Sequence, residues 1–275
     1  MAKRTSLEDL PKALRIASSK DVDLSDDRAD RTLGWDSDRA ARVLDENRRE
    51  LEDLQYKLYA DRRFGMLIVL QAIDGGGKDG TCRHVMSAFN PQGCTVSSFK
   101  APTAEELRHD FLWRIHQRVP PRGEIGVFNR SHYEDVLIVR VENLVPQAVW
   151  SKRYDQINDF ERMLGECDIS VVKFFLHISK DEQKRRFEDR LSDPKKHWKF
   201  EPADLKNREK WGQYRKAFEA ALTHCSPDRA PWYVIPANQK WFRDLAISQI
   251  LVHELKKLPL KFPKAHYDPT AIRIR

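Results

Sequence analysis

MLIVLQAIDGGGKDGT, residues 66–81, runs an apolar stretch, interrupted only at Gln71, into an aspartate, three glycines, a lysine and, after Asp79, a further glycine. An apolar run of this length bounded by glycines reads as a strand buried on both faces, and the residues from about 79 to 89 as a helix. Strand, glycine loop and helix in that order make a phosphate cradle. Glycines let backbone N–H groups turn inward, the start of a helix favours negative charge, and the lysine reaches the outer phosphoryl oxygens. Against the pattern G-x-x-x-x-G-K-[ST] the loop departs twice: Ala72 stands for the first glycine, and Asp79 for the hydroxyl residue that would hold Mg²⁺. A glycine-rich turn with a surface lysine would carry similar letters. Asp74 argues for function, because an aspartate at the end of a buried strand is costly without a metal or a lysine beside it. Asp74 and Lys78 together would supply a carboxylate for Mg²⁺ and an ammonium for phosphates. One or two carboxylates with phosphate oxygens and waters suffice for that ion, so the missing Ser or Thr is tolerable.

Working outward, strands are predicted at 94–100, 124–129, 169–179 and 232–237, and helices at 102–118, 131–144, 148–167, 180–193, 204–223 and 240–258. Five apolar strands interleaved with helices predict an α/β fold, a parallel five-stranded sheet with helices on both faces. Upstream, 18–32 is polar and turn-rich, while 37–62 repeats apolar residues at steps of three and four. Residues 1–62 are therefore expected to form an N-terminal arm and a long helix, residues 63–258 the core with a lid at about 184–210, and residues 259–275 a tail.

Composition narrows the function. Of 275 residues, 40% are hydrophobic and 33% charged, enough for a real core, and the net charge of +7 favours anionic partners. No apolar run approaches the ~20 residues of a membrane span, and the first thirty residues lack an apolar signal centre, so a cytoplasmic enzyme without membrane attachment is expected. Cys82, Cys94, Cys167 and Cys225 are scattered without a Cys-x-x-Cys pair, which suits reduced thiols better than a disulfide framework or zinc site.

Ligands of parallel sheets bind outside the carboxyl ends of the strands. Those ends carry Asp74 to Thr81, then Lys100, Asn129-Arg130, His177 and Asn238. Asn129 stands where many phosphate-transferring kinases place a magnesium-holding aspartate, and offers only an amide oxygen; it could equally cap a helix. Arg130 is a suitable clamp for a transferring phosphoryl group. His132 is expected to be packed or hydrogen-bonded rather than catalytic. From 184 to 210 there are ten Lys plus Arg against six Asp plus Glu. Such a run is commonly a solvated helix face, but Arg186 and Arg190 are four apart and share one face, which suits a lid closing over phosphates.

Four stretches together, AIDGGGKDGT (72–81), SFKAPTAEEL (98–107), GVFNRSHYEDVLIVRV (126–141) and KRRFEDRL (184–191), resemble the polyphosphate kinase 2 family, over most of 40–262 and in the family's order. The resemblance implies a P-loop kinase-like, thymidylate-kinase-like core with a helical lid, moving phosphoryl groups between inorganic polyphosphate and nucleotides with Mg²⁺, or Mn²⁺ in its place. Carried over, Asp74 matches the family's first-motif aspartate and metal ligand, Lys78 its phosphate-binding lysine, and Arg130 the arginine of the second motif. Gly75, Gly76, Gly77, Asp79, Gly80 and Thr81 complete the phosphate loop. Arg190 matches a lid arginine with Arg186 as companion, and Lys100 and Arg140 resemble further basic groups of the phosphate channel.

Asn129 departs from the commoner D-R-S-W-Y form, which leaves it only a possible metal ligand beside Asp74. The form N-R-S-H-Y-E resembles a subgroup taking both nucleoside mono- and diphosphates, AMP through ADP to ATP, with Glu134 helping to set that range. Guanine nucleotides are a further acceptor class, and the family implies a homo-oligomer, dimer or tetramer. Two other readings compete. An ATP-dependent nucleoside monophosphate kinase is disfavoured by Ala72 and Asp79. A nucleic-acid-binding protein would need exposed aromatics, whereas Phe174, Phe175, Trp232, Tyr233, Trp241 and Phe242 fall in expected core positions, so no nucleic-acid partner is expected. Trp198 alone sits in the lid segment.

Overall fold

The computed structural model describes residues 4–17 and 22–274. Five parallel strands, β1 (Gly65–Gln71), β2 (Cys94–Ser98), β3 (Ile125–Asn129), β4 (Ile169–His177) and β5 (Trp232–Pro236), form one sheet in the order β2-β3-β1-β4-β5. Alternation of side chains across β1 divides the core in two. Met66, Ile68 and Leu70 join Val172, Phe174, Leu176 and Tyr233 on one face, and Leu67 and Val69 join Phe128, Val171, Phe175 and Trp232 on the other.

Before the sheet come α1 (Leu10–Leu14) and α2 (Ser37–Asp61); α3 (Lys78–His84) follows the glycine loop and α4 (Trp113–His116) precedes β3. After β3 lie α5 (Ile138–Val141), α6 (Gln147–Trp150) and α7 (Arg153–Glu166). After β4 lie α8 (Lys180–Ser192), α9 (Ala203–Glu209) and α10 (Trp211–His224), and α11 (Lys240–Lys257) follows β5. Helices α2 and α11 supply Leu51, Leu58, Phe242, Ile250 and Leu251 to the first face; α7 and α10 supply Ile157, Phe160, Phe218 and Leu222 to the second.

Several predicted helices are broken. The helix expected over 102–118 is two short turns, Glu106–Arg108 and Trp113–His116. Thr103 and Glu106 cap each other reciprocally, at 2.7 and 3.2 Å, and Asp110 accepts from the Leu112 N–H at 2.9 Å, so a second start interrupts the first. The helix expected over 131–144 becomes a 3₁₀ turn, His132–Val136, then α5, separated by Leu137 at φ −105, ψ −87. The helix expected over 204–223 is divided at Lys210, and that over 148–167 between α6 and α7. The arm's described residues lie on their own core: the Ile16 N–H donates to Trp232 O at 2.9 Å and the Asn238 N–H to Ala29 O at 3.1 Å. Residues 18–21 of the polar stretch lie outside the described residues.

The strand order sets the position of the site. From β1 the chain crosses to β2 and returns through β3 on one side, then moves to β4 and β5 on the other. The crevice at such a reversal lies between the loops that leave β1 and β3. Leu70 registers with Asn129, and the Arg130 N–H donates to Leu70 O at 3.1 Å. Asp74 and Arg130, 56 residues apart in sequence, thus leave the sheet side by side.

Candidate active site

Between β1 and α3 the glycine loop is too crowded for side chains. Gly76 carries the constraint left by the alanine at 72: a Cβ there would stand 2.4 Å from the Ala72 methyl. Gly77 adopts φ +105, and its Cβ would meet the Arg243 guanidinium at 2.3 Å. Arg243, on α11, is buried and pairs with Asp244 beneath the loop.

Lys78 opens α3 with its ammonium buried, donating to Ala72 O at 3.0 Å. Burial first, and Arg130 second, pull its pKa down to about 8, against the opposing carboxylates of Asp74, Glu134 and Asp79. Asp74 accepts from Arg130 Nη2 at 2.6 Å on one oxygen and from Asn207 Nδ2 at 3.0 Å on the other. Burial works against its charge, but Lys78 and Arg130 outweigh it and hold the carboxyl below the ordinary aspartate value. Arg130 itself sits at φ +62, a left-handed conformation that costs a non-glycine residue about 1–2 kcal/mol. Its guanidinium lies 3.5 Å from Glu134 as well as against Asp74. Gln71, with its amide oriented to satisfy both ends, donates to Glu134 at 3.0 Å and accepts from Ser131.

The segment from Arg130 to Glu134 is braced from behind by a fully buried ionic cluster. Lys173, on β4, donates to Glu161 on α7, to the Tyr133 hydroxyl at 2.9 Å and to Cys225 O at 2.8 Å. Glu161 also takes the Tyr133 hydroxyl at 2.8 Å and faces His132 Nε2 at 3.2 Å. Burial opposes the charge on Glu161, yet Lys173 and His132 hold its pKa below the ordinary value. His132 is thus a buried, bonded residue.

Over the crevice, residues 193–210 fold back on the core. Asn207 bonds Asp74, Arg208 donates to Lys180 O at 2.6 Å, and Lys210 donates to Glu142 at 2.5 Å. Arg190 approaches through this segment. It donates to Lys199 O at 3.0 Å and stands 3.8 Å from Asp204, whose carboxyl is raised by burial and by the charge of Asp74.

The remaining predicted residues divide. Asp79 is exposed and accepts from Asn129 Nδ2 at 2.8 Å, so the carboxylate at this corner comes from the loop and Asn129 spends its amide nitrogen holding it. Thr81 turns its hydroxyl back to Gly77 O at 3.2 Å and is buried within α3, away from the crevice. Arg186, expected as the companion of the lid arginine, lies buried beside the glycine loop. Its guanidinium donates to Gly75 O, Ala237 O and Glu182, at 2.8, 2.5 and 2.6 Å, tying the glycine loop to the ends of β5 and α8. Arg140 is 3.1 Å from the Tyr154 hydroxyl and lies over the Trp150 ring, outside this constellation. Lys100 is exposed just past the edge strand β2. Trp198 is exposed, with Lys199 above its ring. No sequence signal marks Asn207, Arg243, Tyr214 or Gln183, whose amide donates to Asp74 O at 2.7 Å.

Among the described residues no helix is long and apolar enough to cross a membrane. A family model described as polyphosphate kinase 2 matches residues 34–263. The chain is 55% identical over 216 residues to the AMP/ADP-polyphosphate phosphotransferase of Meiothermus ruber, covering 78% of this chain and 81% of that protein. It is 47% identical over 226 residues to the ADP-polyphosphate phosphotransferase of Rhodopseudomonas palustris, covering 78% of each. The crystal structure of polyphosphate kinase 2 from Arthrobacter aurescens TC1 superposes with a TM-score of 0.90 at 42% identity, covering 98% of this chain and 95% of that one.

Proposed function

The chain belongs to the polyphosphate kinase 2 family, and from that premise we propose that it transfers phosphoryl groups from inorganic polyphosphate to both AMP and ADP, with Mg²⁺ as its metal. It is a polyphosphate:nucleotide phosphotransferase on a P-loop kinase-like fold. The observation that carries the site assignment is the convergence of Lys78, Asp74 and Arg130 at one crevice, under a segment that folds over it. Phosphoryl transfer asks little covalent chemistry of a protein, so positioning and charge neutralisation do the catalysis. Lys78 holds the transferring phosphoryl group, and Arg130 offsets charge that develops on it. Arg190, through the folded-over segment, adds positive charge and helps exclude water.

The donor set suits a hard divalent cation. Asp74 has two carboxylate oxygens, each taken by one donor, which leaves lone pairs free. A single carboxylate of this kind suits Mg²⁺, which needs one or two carboxylates and completes its shell with phosphate and water. When bound, the ion supplies charge neutralisation and orientation of phosphate oxygens. Asp74 would hold it, with the Asn129 side chain fixing Asp79 beside the same loop.

Purified protein with AMP, polyphosphate and Mg²⁺, followed by chromatography, should yield ADP and then ATP, and neither product when polyphosphate is omitted. ADP without ATP would remove the dual-acceptor reading. Products formed from ATP plus AMP alone would favour an ATP-dependent donor instead.

The buried lysine predicts a pH dependence. Its pKa of about 8 lies below that of the free side chain, so charged Lys78 is lost from the folded enzyme as pH rises above about 8. The sign for stability is opposite to that for activity. Between pH 8 and the ordinary lysine value the unfolded chain holds the proton and the folded one does not, so this group makes the fold more stable as pH rises. The rate at limiting polyphosphate should fall above about pH 8. At saturating polyphosphate the decline should move to higher pH, because the bound polyanion restores the charged form. A profile flat to pH 10 under both conditions would contradict a protonated Lys78.

A further inference from the structure

Asp74, Arg130 and Glu134 share a cavity with apolar Leu137, Ile138 and Phe218, and Tyr214 of α10 lines it with them. The enclosed space is about 30 Å³ as the segment 193–210 lies here, and about 370 Å³ when the part open to solvent is counted. Tyr214 is more than nine-tenths buried, yet its hydroxyl has no hydrogen-bond partner among the described residues. A buried hydroxyl left without a partner costs about 1–3 kcal/mol. Its ring packs with Phe218 and Ala217 in the core of the second face, a task that phenylalanine would perform equally well. The hydroxyl is therefore the one part of this residue that packing does not explain.

We propose that the Tyr214 hydroxyl is the hydrogen-bond partner of a sugar hydroxyl on the acceptor nucleotide. The inference rests on the nucleotide-acceptor reading given above and names the residue that reads the nucleoside part. The cavity wall carries groups of three kinds: the Arg130–Asp74 pair, a set of apolar side chains, and the further polar groups of Glu134 and Tyr214. A nucleotide likewise has a phosphate, a flat base and a hydroxyl-rich sugar. Burial, with the carboxylates of Glu142, Asp74 and Glu134, pushes the Tyr214 phenol well above its ordinary pKa and keeps it protonated. Those same carboxylates disfavour an anionic group next to it, so the phosphate belongs with Lys78 and Arg130. A neutral hydroxyl can both give to Glu134 and take from the phenol.

The test compares the wild type with Tyr214→Phe by calorimetric binding of AMP, 2′-deoxy-AMP and 3′-deoxy-AMP in the presence of Mg²⁺, and by steady-state kinetics. Tyr214→Phe should bind AMP about five- to tenfold more weakly, the worth of one hydrogen bond. One of the two deoxy analogues should lose a similar factor on the wild type and nothing further on Tyr214→Phe, so that the two losses do not add. The KM for polyphosphate should not move, and the ligand-free variant should melt at or above the wild-type temperature, because an unpartnered hydroxyl has been removed. A purely structural tyrosine would give the reverse: a lower melting temperature with AMP affinity unchanged. Unchanged AMP affinity in the variant, equal weakening of all three nucleotides, or a wild type indifferent to both deoxy analogues would overturn the proposal. A wild type that neither binds nor phosphorylates AMP or ADP would remove the acceptor reading, and this proposal with it.

Discussion

Lys78→Ala is expected to lower polyphosphate-dependent ATP formation by about a thousandfold or more while leaving the chain folded. One preorganised donor aimed at developing charge contributes about 10²–10³ to turnover. Lys78 combines that with a full charge in a buried setting, where Coulomb interactions are stronger than in water. The fold gains little from the ammonium, which burial disfavours and which donates to a single carbonyl, that of Ala72. Lys78→Met keeps the stem and removes only the charge, so it should lose activity to the same degree. Thermal midpoints of both variants should stay within about 4 °C of the wild type, the shift that roughly 1 kcal/mol produces in a chain of this size. A folded Lys78→Ala protein that retains more than about a tenth of wild-type turnover would exclude Lys78 from the phosphoryl site.

The contrast between Lys78 and Arg186 shows what could be read from the sequence. Both are basic residues close to the glycine loop, and the sequence motifs suggest a phosphate-facing role for both. Lys78 follows three glycines directly after a buried strand, a local arrangement that leaves its placement few options. Arg186 lies more than a hundred residues away, and its partners are the carbonyls of Gly75 and Ala237, a three-dimensional coincidence that no spacing reports. The α/β class was legible because β1, β3 and most of β4 are buried on both faces and leave largely apolar runs, whereas the edge strand β2 is mostly exposed and shows less of that pattern. The breaks in the helices were harder to see, since they come from local caps such as Thr103–Glu106 and Asp110 that compete with a helical pattern. Tyr214 illustrates the limit most sharply. Its spacing to Ala217, Phe218 and Ala221 is that of any core residue on a helix, and only the missing partner of its hydroxyl distinguishes it. Asn207 has no signal at all, because an asparagine in a basic helix gives no hint that it will face Asp74.

The largest effect on stability should come from the buried cluster behind Arg130. Glu161→Gln leaves Lys173 with a neutral partner in a fully buried setting, and breaking a buried pair in this way costs about 3–5 kcal/mol. For a chain of this length that corresponds to a fall in melting temperature on the order of 10 °C. Replacing both charges, as in Lys173→Met with Glu161→Leu, should recover most of the loss, because the penalty belongs to the uncompensated charge rather than to the absence of the pair. The acid limb offers a second measurement. Glu161 has its pKa held below the ordinary glutamate value in the fold, so its contribution is present at neutral pH and is lost as pH falls through the folded pKa. The wild type should therefore lose stability on acidification more steeply than Glu161→Gln, by up to one proton's worth of slope. Equal melting temperatures for the wild type and Glu161→Gln, together with identical acid limbs, would mean that Lys173 is satisfied by Tyr133 and Cys225 alone. The ion pair would then have no part in bracing the segment that carries Arg130 and Glu134.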